Sequence, residues 1–143
     1  MGKIWVEKLV YISIFAFLIN LFWEVSHSLL YETITDMVVR EYVPRILQAS
    51  IGDIIMVLII FLGVSGINKS FNWRINNIKN VLLSIIFGIF IAVVFEFYAQ
   101  YTNRFTYNPS MPVIPLVNVG LTPVLQIVIT PLIVFFLAEK IIH

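Results

Sequence analysis

Apolar residues in this chain gather in four long runs, separated by shorter stretches that hold most of the Asn, Pro and charged residues. Each run reaches about 20 residues, the length an α-helix needs to cross roughly 30 Å of hydrocarbon at about 1.5 Å per residue. The pattern predicts an all-α, four-transmembrane-helix bundle, a single integral membrane domain over residues 1–143 with helices at about 4–30, 44–64, 78–101 and 121–142. Trp5 and Trp23 lie 18 residues apart in the first run, roughly 27 Å along a helix axis, as anchors at two membrane interfaces should. Pro44 suits the first turn of the second helix. In the third run Ser84, Gly88 and Ala92 recur every four residues, a stripe that lets a neighbouring helix approach closely. Glu96 and Gln100 continue that line. Thr122, Gln126 and Thr130 stripe the fourth run, and Pro131 predicts a kink there because it removes a backbone donor.

The connections differ in character. Residues 31–43 are mixed, and Ile34, Met37, Val38 and Tyr42 fit either a short surface helix or an ordinary loop. Residues 102–120 carry three prolines and no charge after Arg104. A stiff, apolar loop of that length is expected to pack onto the bundle as a lid or re-entrant segment. A cleaved signal peptide is the rival reading of the first run. Its length and the Trp23-Glu24 pair, where a cleavage region is small and neutral, argue against that reading.

Composition supports the membrane assignment. The chain is 60% hydrophobic and 12% charged, with a mean hydropathy of +0.98, whereas water-soluble domains carry about 25% charged residues. A net charge of +1 gives no sign of nucleic-acid binding. The absence of cysteine removes disulfides, thiolate metal sites and thiol chemistry. Four spans put both termini on one side, with Lys3, Lys8, Lys69, Arg74, Lys79 and Lys140, against Arg40, Arg45 and Arg104 on the other. The positive-inside rule then places both termini and the middle loop in the cytoplasm and the Pro-rich loop outside. On that orientation Asn68-Lys69-Ser70, a match to the glycosylation pattern, lies on the untranslocated side and reads as chance.

Candidate chemistry gathers at one membrane level. Asn20, Glu24 and His27 share a helix face at i, i+4 and i+7. Asp53 enters the second span from the same side, Glu96 and Gln100 close the third, and Gln126 opens the fourth. Ionisable groups on membrane helices are costly and point to function. Glu24-x-x-His27, with Asp53 and Glu96, has the residue types of a carboxylate-rich divalent metal site for zinc, manganese or iron. The same acids without a metal suit acid–base work, since a carboxylic acid that keeps its proton in an apolar cavity can protonate a double bond or a leaving oxygen, with His27 as relay. Arg104 is expected to pair with Glu96 or to bind a substrate phosphate. Asn20, Gln100, Tyr107 and Gln126 are candidates for orienting a substrate. Taken singly, each polar group also has a structural reading, as an interfacial ion pair, a backbone bond or a helix tie.

The segments Trp23-Glu24 with Leu30-Tyr31, Glu96-x-x-Ala99-x-x-x-x-Arg104-Phe105-x-Tyr107, Met111-Pro112-x-x-Pro115 and Gly120-Leu121-x-Pro123-x-Leu125-Gln126 together resemble a pattern in small uncharacterised prokaryotic membrane proteins. That resemblance spans most of the chain and implies no activity. More distantly, the Glu ahead of an aromatic-x-Tyr segment and a Pro-bearing loop is similar to membrane carotenoid hydratases and heteromeric lycopene cyclases. The chain is shorter than the hydratases and lacks the Pro-Leu-Glu-Glu segment of the cyclases.

The sequence reading is therefore an integral membrane protein with a Glu/His/Asp/Glu pocket at the outer leaflet, and an enzyme acting on a lipid or isoprenoid drawn from the bilayer. The alternatives are a transport or binding component and a structural subunit, either of which would make a homo-oligomer or a membrane partner. The orientation is checked by a reporter fused after His143, expected to read out in the cytoplasm; an extracytoplasmic signal would overturn it.

Overall fold

The computed structural model describes residues 2–142. It consists of α1 (Gly2–His27), a 3-10 turn (Ser28–Leu30), α2 (Glu32–Thr35), α3 (Val39–Asn68), α4 (Ile78–Tyr101), a two-stranded hairpin of β1 (Val113–Ile114) and β2 (Val119–Gly120), and α5 (Leu121–Ile142). Four of the helices are long and apolar enough to cross a membrane. The protein is a multi-pass integral membrane protein built as a four-helix bundle.

The third and fourth spans have the limits the sequence predicts; the first two do not. α1 stops at His27 and tightens into the 3-10 turn. α3 begins at Val39, one full turn before Pro44, and runs on to Asn68 through Gly63 and Gly66. Pro44 is tolerated there because it sits in the exposed second turn, where water or headgroups can serve the carbonyl it leaves without a donor. Lys69 ends α3 in the left-handed region, at φ 51°. At about 45 Å, α3 is longer than the hydrocarbon is thick, so its first turns, with Arg40, Glu41 and Arg45, stand at headgroup level.

Each long helix packs against its neighbours in the order α1, α3, α4, α5, with α5 closing back on α1; the seam between α3 and α4 is the loosest of the four. Outward faces are Ile, Val, Leu and Phe, which suit lipid. Ile12, Ala16, Val57, Ile60, Phe61, Val64, Val134 and Phe135 fill the centre and are fully buried. The stripe on α4 behaves as its spacing requires: Ser84, Gly88, Ala92 and Glu96 are all buried. At Gly88 the reason is explicit. A Cβ there would stand 2.8 Å from the Ile127 carbonyl oxygen of α5. That carbonyl is the one Pro131, four residues on, cannot serve with an N–H.

One end of the bundle is fastened by a buried cation. Lys8 Nζ donates to the Trp73 carbonyl at 2.7 Å, lies 3.5 Å from Glu139 Oε1 and sits 4.9 Å from the Trp73 ring centroid. Glu139 Oε1 also accepts the Ile75 N–H at 2.8 Å, and Trp73 Nε1 donates to Ser65 Oγ at 2.8 Å. These bonds draw the connection between α3 and α4 down over the bundle. By sequence Lys8 counts only as one of the cations on the cytoplasmic side of the membrane. The structure gives it a further role, because Lys8 and Glu139 satisfy each other and the loop backbone inside the protein.

At the opposite end the two remaining connections join. Glu32 N–H donates to the Thr106 carbonyl at 3.0 Å and Asn108 N–H to the Leu30 carbonyl at 2.9 Å, flanking an antiparallel bridge between Tyr31 and Tyr107. The Pro-rich loop packs down as expected, with Val119 and Met111 buried. Much of the rest of the loop is exposed, most of all the tip of its hairpin, where Leu116 is 97% exposed.

The Gly88 contact makes a specific expectation. Gly88→Val should lower stability in detergent by about 1–3 kcal/mol, the usual cost of overpacking. Gly66→Ala, where an added Cβ meets nothing within 4 Å, should leave the melting temperature unchanged or raise it. Thermal unfolding of the two purified variants checks both.

Candidate functional site

Asn20 and Glu24 come from one face of α1, Asp53 from the first half of α3, and Gln126 from the second turn of α5. All four belong to separate turns of three helices, and the side chain that joins them is Gln126, which is 2% exposed. Its Nε2 lies 2.8 Å from Asp53 Oδ2, 3.0 Å from Glu24 Oε1 and 3.1 Å from Asn20 Oδ1. Glu24 and Asp53 thus share one donor, the Gln126 amide. A primary amide has two hydrogens, so it cannot fully serve three oxygens. Asn20 Nδ2 is buried with no partner among the described residues.

Glu96 reaches the same space from α4. It accepts a hydrogen bond from the Tyr107 hydroxyl. That hydroxyl oxygen in turn accepts from Gly120 N–H at 2.9 Å and from Gln100 Nε2 at 3.2 Å. Gln100 Nε2 also donates to the Asn118 carbonyl at 3.0 Å. Tyr107 therefore ties α4, the Pro-rich loop and the start of α5 at one oxygen. Burial, then the hydrogen bond to Glu96, pushes its phenol up to about 12. Tyr31 is raised further, by burial first and then by the carboxylates of Glu96 and Glu24. Both phenols thus keep their protons at any physiological pH.

Between these groups lies a cavity of about 390 Å³, lined by Glu24, Asp53, Glu96 and Gln126 at its polar end. Its walls are apolar, from Ile46, Met56, Ala92, Phe95 and Ile127 among others. The walls also include Ile51 and Ile55, which are 53% and 55% exposed on the outer face of α3. The cavity consequently opens toward lipid along the loose α3–α4 seam. Gly52 lines it, and a Cβ there would meet nothing within 4 Å.

Two expectations need correction. His27 does not join the acids: its Nδ1 donates to the Trp23 carbonyl at 2.8 Å, one turn back, and its ring packs at 5.5 Å from that of Tyr31. No three His, Asp or Glu side chains among the described residues converge to hold a metal ion. The set Glu24, His27, Asp53 and Glu96 therefore does not fit a divalent metal. Arg104 does not pair with Glu96 either, because Tyr107 occupies that carboxylate, and Arg104 lines the cavity mouth instead. The structure adds Tyr31 and Arg45 to the lining. Tyr31 could have been found by extending the Asn20–Glu24–His27 face one more turn. Arg45 carried no such signal, since its span seemed to start at Pro44.

No protein-family model matches the chain, and no curated protein or solved structure matches it.

Tyr107→Phe should leave the Gly120 N–H and Glu96 without their shared partner, at about 1–3 kcal/mol of stability for buried groups so exposed. Faster hydrogen exchange at the Gly120 amide, with exchange in α1 unchanged, is the expected reading. Unaltered exchange at Gly120 would show that the hydroxyl does not hold the loop.

Proposed function

We propose that this protein is an enzyme that acts by acid–base chemistry on a lipid or isoprenoid substrate taken from the bilayer. The observation that carries this reading is the Glu24–Asp53 carboxyl pair, joined by Gln126 at the polar end of an apolar cavity that opens to lipid. A carboxylic acid held away from bulk water is equipped to donate a proton to a double bond or a leaving oxygen. The partner carboxylate then stabilises the positive charge formed or takes the proton back. Glu96 serves as the second acid–base group, held in place by Tyr107. Gln126, Asn20 and Gln100 fix the geometry, as packed supports do in sites built between bundle helices. The site lies in the outer leaflet, on the orientation given by the distribution of Lys and Arg.

A transport role would need the polar path to continue past Gln126 toward the other end. Met56, Val57, Ile60, Val134 and Phe135 fill that part of the bundle instead, and this favours the enzyme.

Lipid extracts of membranes holding the wild-type protein, compared by mass spectrometry with those holding Asp53→Asn or Glu96→Gln, test the proposal. The wild type should produce a new lipid species, and each variant should reduce it by about 10²-fold or more, the usual loss of a general acid or base, while unfolding at a similar temperature. Full product formation by both variants, or no difference between wild type and empty membranes, would overturn it.

A further inference from the structure

Two arginines stand at the mouth of the cavity, and the acid–base chemistry leaves them unused. Arg45 lies on α3 and Arg104 three residues beyond the end of α4, so they flank the two sides of the seam through which the cavity meets lipid. Among the described residues the one side-chain ion pair is Lys8–Glu139 at the other end, so neither guanidinium is neutralised by a carboxylate. Arg45 precedes Asp53 by two turns on the same helix, about 12 Å along the axis. It therefore sits at headgroup level while the acids lie deeper. The cavity is divided in the same way, with cations at the mouth, apolar walls between them, and an open flank bounded by Ile51 and Ile55.

We infer that Arg45 and Arg104 bind the phosphate of a phosphate-bearing lipid whose chain lies in the α3–α4 opening and whose first carbons reach the acids. Arginine suits this task because its planar fork offers paired N–H donors to phosphate oxygens and stays charged at all working pH values. One on α3 and one on the connection that follows α4 can hold one phosphate from both sides. The apolar flank accounts for the chain, which free phosphate lacks. This inference rests on the reading of the cavity as a substrate site, but it concerns binding and needs no turnover to be tested.

The test uses the full-length protein in dodecyl maltoside and a short-chain fluorescent phosphatidic acid as probe, with the matching phosphatidylcholine as the zwitterionic control. Wild type should bind phosphatidic acid more tightly than the control. Arg45→Gln and Arg104→Gln should each weaken it about tenfold, as loss of a charge-assisted bond does. Arg40→Gln, whose residue does not line the cavity, should not, and Gly52→Phe, which fills the chain site, should abolish binding. Millimolar inorganic phosphate should fail to displace the probe. Unchanged affinity in both arginine variants, or equal affinity for the two lipids, overturns the proposal. Full displacement by inorganic phosphate with normal binding to Gly52→Phe overturns the lipid assignment in favour of a free anion. Asp53→Asn should bind the probe normally; if that variant also makes full product, the acid–base reading fails while this one stands.

Discussion

Hydrocarbon cannot solvate an amide or a carboxyl group, so every polar side chain within the bilayer must be satisfied by the protein. The Gln126 amide meets that constraint for three helices at once. Asn20, Glu24 and Asp53 all turn inward to it, which fixes the rotation of α1 and α3 against α5. The lipid-facing sides of the central turns of those helices then carry apolar residues. Removing the amide would leave two acids and an amide buried together without a common donor, which costs more than the bonds themselves are worth.

The two ends of the bundle use polar groups differently. At one end Lys8, Glu139 and the Trp73 carbonyl form a closed set with the aromatic rings of Trp73 and Phe61 around the cation. Each group there finds a partner, and the loop backbone takes part. At the other end the acids exceed the donors available to them and a cavity lies between them. Complete satisfaction suits a fastening; incomplete satisfaction beside a cavity suits a site that exchanges protons with something that binds. The Tyr31–Tyr107 bridge makes the two connections above that cavity a single cover, since each strand of it holds the other.

Much of this was legible in the chain. Length and apolarity fixed four helices, and in the third and fourth spans their limits as well. The level of the polar cluster could also be read, since a helix converts sequence position into depth. What periodicity could not supply was partnership between helices. His27 looked like a ligand by spacing, yet its own preceding turn offered a carbonyl within reach. Arg104 looked like the partner of Glu96, yet the loop brought Tyr107 to that carboxylate. Lys8 counted only as a cytoplasmic-side cation, because nothing in the first span says that the connection between α3 and α4 folds back over it. Pro44 was a poor boundary for a related reason: a proline near a helix start constrains one donor, and an exposed extra turn can bear its loss.

The contact between Gly88 and the Ile127 carbonyl has a mechanical side. Pro131 removes the bond that would stiffen α5 at that point, one turn below Gln126, and the freed carbonyl is lodged against α4 rather than against its own helix. The segment of α5 that carries Gln126 is thereby linked to the segment ending at Glu139 by a softened joint. The Gly88 contact thus braces α5 from outside at the turn where its own hydrogen-bond ladder is interrupted.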